Sequence, residues 1–310
     1  MNFVKRIRKS IKNQFSKEAS IRFRLFRASY APRSWYAERS ADVVILSYPK
    51  CGRTWLRMML GRSLALHFGL GDVNYLANDL LADTDAKSLR IRVSHDDNPQ
   101  WKEPEKLSRR KGRYRRQKVV FLVRDPRDVV VSMYFERSRR EQVDVGTMGD
   151  FLEASVGSLN TIIEYYNIWA ANRGQARDFL MIRYEDLQQG PAVELRRLLG
   201  FIGLSEVSNE HIAEAVEYSS FKNMRKMEMG GDVSSGRLKP RNRSDMESFK
   251  TRKGVVGGYV EYLESAQIDS MERRITKRLD PFFGYSIPGS IATDDESLAA
   301  QESAEAQSGC

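Results

Sequence analysis

Apolar positions along this chain fall into short unbroken runs, separated by longer stretches with a helical period. The runs 41–47 (ADVVILS) and 118–123 (KVVFLV) have the length and the branched side chains of fully buried strands. Shorter runs at 90–94 and 178–183 predict two more strands. Helical periodicity is found over about 53–67, 126–140, 151–172, 191–202, 209–218 and 266–279. Strands alternating with helices predict an α/β fold, a single domain with a central parallel sheet flanked by helices.

The boundaries of that domain are predicted from composition. Residues 41–285 contain no internal repeat and no linker, so we expect one folded unit over this range. Within it, residues 229–250 are rich in Gly, Ser, Arg and Asp and predict a long mobile loop. Residues 286–310 contain several acidic and no basic side chains, which predicts a disordered acidic tail.

The formal net charge of +10 is concentrated in the first 40 residues, which contain eleven basic and two acidic side chains. Phe3, Ile7, Ile11 and Phe15 recur there every four residues, so we predict a basic amphipathic N-terminal arm over 1–40. Such a helix either binds an anionic membrane surface or packs on the domain, and the sequence leaves both alternatives open. No basic motif with a known docking fold accompanies it, so we expect no nucleic-acid partner.

Cysteine, histidine and apolar content exclude further classes of protein. The two cysteines are Cys51 and the C-terminal Cys310, so we expect no structural disulfide and a reducing compartment. The three histidines are far apart and no His/Cys cluster has zinc spacing, so we predict no metal site. The longest apolar run, Val119–Val123, is far shorter than the roughly 20 residues of a transmembrane helix.

The first candidate binding element is the loop after strand 41–47, where residues 48–55 are YPKCGRTW. In a parallel sheet this loop lies at the carboxyl ends of the strands, and the N–H groups of the next helix point at a bound anion. Gly52 permits close backbone approach, Lys50 and Arg53 add positive charge, and Thr54 adds a hydroxyl. The Walker A pattern is absent, which argues against a generic NTPase.

The second candidate element is the sequence RDPRDVVVS after strand 118–123. Arg124 ends the strand, and Asp125 and Pro126 fit the N-cap and N1 positions of the following helix. Ser132 lies farther along that helix, and a guanidinium with a hydroxyl can hold a dianionic phosphate. A third element, FKTRKG over 249–254, has two adjacent cations before a glycine and could hold another phosphate.

These three elements, in this order, resemble the signature motifs of cytosolic-type sulfotransferases, which use 3′-phosphoadenosine-5′-phosphosulfate (PAPS). The family patterns YPKxGTTW, RxPxDVxVS and RKGxxGDW are similar to YPKCGRTW, RDPRDVVVS and RKGVVGGY of this chain. Weaker similarity links RYED at 183–186 and SSF at 219–221 to family segments that contact adenine. The resemblance covers about 41–285, and it implies a fold related to P-loop nucleotide kinases and chemistry without a metal.

The resemblance also implies which residues bind each part of PAPS. The 5′-phosphosulfate would be held by Lys50, Cys51, Gly52, Arg53 and Thr54, the 3′-phosphate by Arg124, Ser132, Arg252, Lys253 and Gly254, and adenine by Trp55, Tyr184 and Phe221. His95, after strand 90–94, resembles the catalytic base of the family, and Lys50 would stabilise charge on the leaving phosphate. Asp96 and Asp97 are candidates to orient His95 or, failing that, to act as the base.

Some positions depart from the family pattern. Arg53 stands where the family usually has Thr, and Val93 stands where it has a second catalytic Lys. The short dimer motif after the third element has no match, so the oligomeric state is left open. Two rival functions also stay open, namely a Mg·ATP-dependent kinase or NTPase, and a non-catalytic, membrane-tethered nucleotide-binding module.

The predicted function is transfer of a sulfuryl group from PAPS to an acceptor hydroxyl. The basic arm favours a membrane lipid or glycolipid as the acceptor, while a soluble alcohol, phenol or sugar is the alternative. We accordingly expect a cytoplasmic protein, peripheral on the cytoplasmic face of a membrane if the arm binds lipid.

Overall fold

The computed structural model describes residues 40–71, 74–77, 79–80, 89–230, 238 and 240–285. The predicted arm lies outside the described residues except for its last position, and the predicted acidic tail lies wholly outside them. Residues 231–237 and 239 of the predicted mobile loop also lie outside the described residues. The expectations for these segments therefore stay predictions.

Within the described residues, five strands form one sheet in the order β2-β3-β1-β4-β5. They are β1 (Val43–Ser47), β2 (Asp79–Leu80), β3 (Ile91–Ser94), β4 (Lys118–Val123) and β5 (Asp178–Arg183). The short β2 is antiparallel to β3, and the other four strands are parallel. Every residue of β1 is buried, and successive side chains point to opposite faces, so the central strand is covered on both faces. The predicted parallel sheet and its four main strands are confirmed.

The helices of the described residues are α1 (Arg53–His67), α2 (Pro126–Phe135), α3 (Met148–Glu153), α4 (Leu159–Asn172), α5 (Tyr184–Gln189), α6 (Pro191–Ile202), α7 (Asn209–Tyr218), α8 (Phe221–Gly230) and α9 (Ser265–Arg278). A π-helical turn over Glu136–Arg140 continues α2. Short 3₁₀ turns lie at Pro99–Trp101, Pro104–Lys106, Gly112–Tyr114, Arg173–Gln175, Met246–Ser248, Gly258–Glu261 and Pro281–Phe283. Helices α6 and α7 begin and end at the predicted residues. In both, the apolar stripe and the helix-start signal in the sequence mark the same boundaries.

The start of α2 is also as predicted. The carboxylate of Asp125 accepts a hydrogen bond from the backbone N–H of Arg127 at 2.9 Å, and Pro126 occupies the first turn. An N-cap of this kind satisfies one of the helix-end N–H groups. It therefore fixes where the chain turns from β4 into α2.

Two expectations about helices were wrong. The stretch 151–172 is not one helix, because α3 ends at Glu153 and α4 begins at Leu159. Gly157 lies between them with a φ of +73°, and a Cβ there would be 2.7 Å from the carbonyl oxygen of Gln100. The stretch 229–250 does not begin as a loop, since α8 continues to Gly230.

Helix α4 packs on the sheet through aromatic side chains. The ring of Phe121 on β4 lies 5.4 Å from Trp169 and 5.9 Å from Tyr166, centroid to centroid. All three side chains are fully buried, and aromatic pairs of this kind each contribute about 0.5–1.5 kcal/mol beyond their area burial. This packing fixes Tyr166 directly beneath the carboxyl edge of the sheet, where its hydroxyl contacts Arg124.

Candidate active site

A cavity of about 300 Å³ lies at the carboxyl ends of the parallel strands. Of the residues singled out from the sequence, it is lined by Lys50, Gly52, Arg53, Thr54, Trp55, His95, Arg124, Ser132, Tyr184, Phe221, Arg252, Lys253 and Gly254. The register explains part of this convergence, since Leu46 pairs with Ser94 and Ser47 with Leu122. The loop after β1, His95 after β3 and Arg124 after β4 therefore leave the sheet side by side.

Cys51 is the predicted site residue that does not line the cavity. Its side chain is fully buried, with Sγ 3.3 Å from the hydroxyl of Tyr166. Burial raises the pKa of the Cys51 thiol to about 12, so it stays protonated at neutral pH. Any contribution of Cys51 to anion binding must therefore come from its backbone.

The loop between β1 and α1 has a left-handed backbone at two positions. Lys50 has a φ of +74° and Gly52 a φ of +88°. A Cβ on Gly52 would lie 2.5 Å from Cδ2 of Tyr184, so only glycine fits between the loop and this ring. Arg53 and Thr54 form the first turn of α1, where backbone N–H groups lack helical acceptors and favour an anion.

Arg124 is held by its neighbours from several directions. Its guanidinium lies 3.2 Å from Asp128, donates to the Val255 carbonyl at 2.9 Å, and stacks 4.4 Å from the centre of the Tyr184 ring. The hydroxyl of Tyr166 accepts from the Arg124 N–H and donates to its carbonyl, at 3.0 and 2.9 Å. The Nε of Arg124 is buried with no hydrogen-bond partner among the described residues.

Asp128 connects the second binding element to the third. Besides the ion pair with Arg124, its carboxylate accepts from the backbone N–H groups of Gly257 and Tyr259, at 2.9 and 3.0 Å. Sequence reasoning did not assign it a binding role, although its position one helical turn before Ser132 is a usable signal. Asp128 therefore holds the segment after Gly254 against the end of β4.

The two cations of the third element, Arg252 and Lys253, are each paired with a glutamate. Arg252 donates to Glu247 at 3.0 Å and to the Tyr262 hydroxyl at 2.5 Å, and Lys253 is paired with Glu261. These pairs hold the segment 252–254 in place beside the cavity. The resulting charge on the segment is less positive than the sequence RKG alone suggests.

Two aromatic rings pack against glycine backbone in the cavity wall. Gly254 has a φ of +67°, and a Cβ there would lie 2.5 Å from Cδ2 of Phe221. A Cβ on Gly52 would lie at the same distance from Cδ2 of Tyr184. Gln188 bridges the two, donating to the Tyr184 hydroxyl at 2.6 Å and to the Gly254 carbonyl at 2.9 Å. Tyr184 and Phe221 thus line one cavity together, although 37 positions separate them in the sequence.

The ring of His95 is oriented by the end of β1. Its Nδ1 lies 2.9 Å from the carbonyl oxygen of Ser47, and a carbonyl can only accept, so Nδ1 carries the proton. Burial and the Arg53 guanidinium lower the pKa of His95 well below its usual range, so the ring is neutral at pH 7. Nε2 is then an acceptor, which is the form that a general base requires.

The two aspartates after His95 have other partners. Asp96 is buried, and its carboxylate accepts hydrogen bonds from Lys111, Tyr114 and Trp169, at 2.6, 2.8 and 2.9 Å. Asp97 is ion-paired with Lys102. The expectation that one of them orients His95 was wrong, because the Ser47 carbonyl does so instead.

Lys50 is paired with a carboxylate that sequence reasoning missed. Its Nζ lies 2.6 Å from Oε2 of Glu136, in the π-helical turn after α2. Burial would raise the pKa of Glu136, but the ammonium groups of Lys50 and Lys250 outweigh it and lower the pKa to about 2. Glu136 follows Ser132 by one helical turn, and that spacing is the signal by which it could have been found.

Two structural features are absent from the described ranges, a metal-binding cluster and a membrane-spanning helix. No group of three or more His, Cys, Asp or Glu side chains is arranged there to hold a metal ion. Among the helices that the structure describes, none is long and apolar enough to cross a membrane.

A mainly parallel sheet, with a strand–loop–helix connection at its carboxyl edge, defines a P-loop-like α/β protein. The family model of the sulfotransferase domain matches residues 40–283, so the chain belongs to the sulfotransferase family. It is similar to human sulfotransferase 2B1, with 26% identity over 261 residues, 78% of this chain and 67% of the relative. A 3-beta-hydroxysteroid sulfotransferase from Cavia porcellus is 26% identical over 262 residues, 78% of this chain and 84% of the relative.

Solved structures show the same fold. A mouse sulfotransferase complexed with PAP (3′-phosphoadenosine-5′-phosphate) has a TM-score of 0.54 and 20% identity. The match covers 86% of this chain and 89% of the mouse protein's chain. Retinol dehydratase in complex with androsterone and inactive cofactor PAP has a TM-score of 0.54 and 19% identity, over 76% and 80%. The predicted family, the fold class and the assignment as a sulfotransferase enzyme are confirmed.

Proposed function

We propose that the protein transfers a sulfuryl group from PAPS to an acceptor hydroxyl, with its binding and catalysis in the cavity at the carboxyl edge of the sheet. The observation that carries this proposal is the convergence of all three candidate binding elements on that one cavity. Two solved structures with the same fold, a mouse sulfotransferase and retinol dehydratase, are named as complexes with PAP, which supports PAPS as the co-substrate.

The cavity residues suit PAPS in charge, in hydrogen-bond donors and in aromatic surface. The cations of the cavity come from separate elements, Lys50 and Arg53 from the loop after β1 and Arg124 and Arg252 from the second and third elements, which suits a nucleotide with a phosphate at its 5′ and its 3′ end. The buried Nε of Arg124 and Nε1 of Trp55 are donors without a partner among the described residues, as expected where a ligand completes the site. Tyr184 and Phe221 offer flat surfaces on which adenine can stack.

Bound PAPS supplies the activated sulfuryl group. In the proposed mechanism, Nε2 of the neutral His95 accepts the proton of the acceptor hydroxyl. Lys50, released from Glu136, places its charge at the oxygen of the leaving 5′-phosphate. The backbone N–H groups at the start of α1 hold the same phosphate and do not change protonation.

Calorimetric titration with PAP, adenosine 5′-monophosphate and Mg·ATP tests the co-substrate. We expect PAP to bind at least about tenfold more tightly than the monophosphate, because a second charge-assisted phosphate contact contributes roughly 1.4 kcal/mol or more. Equal or tighter binding of Mg·ATP would instead support the kinase or NTPase alternative.

His95→Ala separates an enzyme from a non-catalytic nucleotide-binding module. We expect the variant to lose about 10²–10⁴-fold in transfer rate from PAPS while keeping its PAP affinity. His211→Ala is the matched control, because that ring lies on α7 and does not line the cavity. A wild-type protein that binds PAP but sulfates no acceptor would support the module.

We further propose that the acceptor is a membrane lipid or glycolipid reached from the cytoplasmic face. The basic, amphipathic sequence of 1–40 supports contact with anionic lipid, and Met133 and Met224 add apolar surface to the cavity. A hydroxysteroid is named as the substrate class of one relative, which supports an apolar alcohol. A soluble alcohol, phenol or sugar is the competing class of acceptor.

Vesicle flotation of the full chain tests the membrane part of this proposal. We expect binding to vesicles with phosphatidylserine and little binding to pure phosphatidylcholine, because the attraction is electrostatic. Ile7→Asp, in the predicted apolar stripe of the arm, should abolish it. Sulfation of soluble alcohols, with no turnover of lipid hydroxyls in the same vesicles, would contradict the lipid acceptor.

A further inference from the structure

Lys250 is a lysine in the cavity wall that none of the sequence motifs assigned to the site. It lies inside the third binding element, two positions before Arg252, and lines the same cavity as Lys50 and His95. Its neighbour Thr251 also lines the cavity. A cationic side chain at this position is therefore available to a ligand in the cavity.

The backbone at Lys250 is fixed by a buried carboxylate. Glu228 on α8 is 1% exposed and accepts from the N–H groups of Lys250 and Thr251, at 2.6 and 2.9 Å. It also accepts from the Thr251 hydroxyl at 2.5 Å and lies 3.5 Å from Arg140. Such a charge-assisted network in the interior holds the segment in one position, so Lys250 extends from a preorganised support.

Lys250 differs from other cations of the cavity in its pairing. Lys50 is paired with Glu136, Arg124 with Asp128, Arg252 with Glu247, and Lys253 with Glu261. No described residue accepts a hydrogen bond from the ammonium of Lys250 or forms an ion pair with it within 4 Å. A partly buried ammonium without an acceptor gains from an anionic ligand that completes its hydrogen bonds.

The surroundings of Lys250 place it at the reacting end of the cavity. The charged and titratable groups that face it belong to Lys50, Arg53, His95, Glu136 and Arg140. Burial lowers the pKa of Lys250 to about 7, and the cations of Lys50, Arg140 and Arg53 lower it against the opposing effect of Glu136. Binding of an anion favours the charged form, so ligand binding and protonation of Lys250 are linked.

We propose that Lys250 is a further catalytic residue, whose ammonium donates hydrogen bonds to the non-bridging oxygens of the sulfuryl group while it is transferred. This inference rests on the proposed function. In the step, the bond from sulfur to the leaving phosphate oxygen breaks, and its electron pair stays on that oxygen. A bond from sulfur to the acceptor oxygen forms, and the acceptor proton goes to Nε2 of His95. Lys250 keeps its proton throughout and acts as a hydrogen-bond donor.

Lys250→Met tests the assignment, with Lys226→Met as the matched control because Lys226 is an exposed lysine on α8. We expect Lys250→Met to lower kcat by about 10²–10³-fold, the loss typical of one preorganised donor, while its Kd for PAP stays within about threefold of wild type. PAP lacks the sulfuryl group, so its unchanged affinity shows both that the variant is folded and that Lys250 does not bind the nucleotide phosphates. Lys226→Met should match the wild type in both measurements.

The pH profile gives an independent signature. Above pH 7 the free wild-type enzyme loses the charge on Lys250, so kcat/KM should fall as pH rises through about 7. Lys250→Arg cannot lose its charge in this range, and its profile should stay flat above pH 7. A profile that falls identically in the wild type and in Lys250→Arg would count against the assignment.

Three results would overturn the proposal. A kcat of Lys250→Met within about threefold of wild type would mean that the ammonium does not contact the reacting group. A Kd for PAP that rises in parallel with the loss of kcat would assign Lys250 to the nucleotide phosphates. A higher KM for the acceptor with kcat preserved would assign it to an acidic group of the acceptor. These results all presuppose wild-type transfer from PAPS, whereas a wild type that neither binds PAP nor transfers would overturn the proposed function as well.

Discussion

Replacing Gly254 by alanine tests whether the aromatic wall of the cavity depends on a backbone position that carries no side chain. A Cβ on Gly254 would lie 2.5 Å from Cδ2 of Phe221. Carbon atoms in contact stay about 3.5–4.0 Å apart, so the ring must move by roughly 1 Å or more. Phe221 is 45% exposed, and its ring can therefore swing outward without disturbing the core. We expect the close contact to affect ligand binding more than stability.

Gly69→Ala is the matched control for this experiment. Gly69 has a φ of +62°, close to the +67° of Gly254, and nothing lies within 4 Å of its Cβ position. Both variants should lose about 1–2 kcal/mol of unfolding free energy, because an L-residue is strained in the left-handed region. Only Gly254→Ala displaces the ring, and a lost base–aromatic stack of about 1–3 kcal/mol weakens PAP binding by roughly 5- to 150-fold.

Urea denaturation measures the loss of unfolding free energy, and calorimetric titration with PAP measures the loss of nucleotide affinity. The expected result is a similar loss of stability in both variants and a loss of PAP affinity in Gly254→Ala alone. PAP affinities that agree within about twofold between the two variants would refute the reasoning, since Phe221 would then have no part in nucleotide binding.

Three further predictions concern side chains that support the cavity. Glu136→Gln should lower the unfolding free energy by up to about 3 kcal/mol at pH 7, since its pKa falls from 4.5 to about 2 on folding. The folded-state pKa is the lower one, so this stability is present above pH 4.5 and is lost as pH falls toward 2. In urea denaturation, the difference in unfolding free energy between wild type and Glu136→Gln should therefore narrow over this range. A difference that stays constant would contradict the prediction. Asp128→Ala should weaken PAP binding by about tenfold or more in calorimetry, because Arg124 and the N–H groups of Gly257 and Tyr259 lose their common acceptor. Tyr166→Phe should cost about 1–3 kcal/mol in thermal or urea unfolding, because two backbone groups of Arg124 lose their partner, and an unchanged midpoint would show that water replaces the hydroxyl.

The sequence predicts best where local patterns decide the structure. Strands β1 and β4 were recognisable because a strand covered on both faces is apolar at every position. The loop after β1 and Arg124 after β4 were placed because the carboxyl ends of parallel strands meet at one edge of the sheet. The break at Gly157 could not be predicted, because the backbone that approaches this glycine, at the Gln100 carbonyl, lies 57 positions earlier in the chain.

The supporting residues of the site depend on distant partners. Glu136 meets Lys50 across 86 positions, and Glu228 holds the backbone of Lys250 from a helix that the sequence did not predict. A single sequence does not show which residues so far apart will meet. The residues that match family motifs are visible in the sequence, whereas their pairing with distant residues becomes apparent only in the folded chain.

The hydrogen bonds from Gly257 and Tyr259 to Asp128 join segments 129 and 131 positions apart. Contacts of such long range form late in folding, because closing a long loop costs chain entropy before any contact compensates for it. During synthesis, the proposed nucleotide site therefore stays incomplete until the segment around Gly257 has left the ribosome and docked. A nucleotide that binds only the finished site would stabilise the native state by mass action.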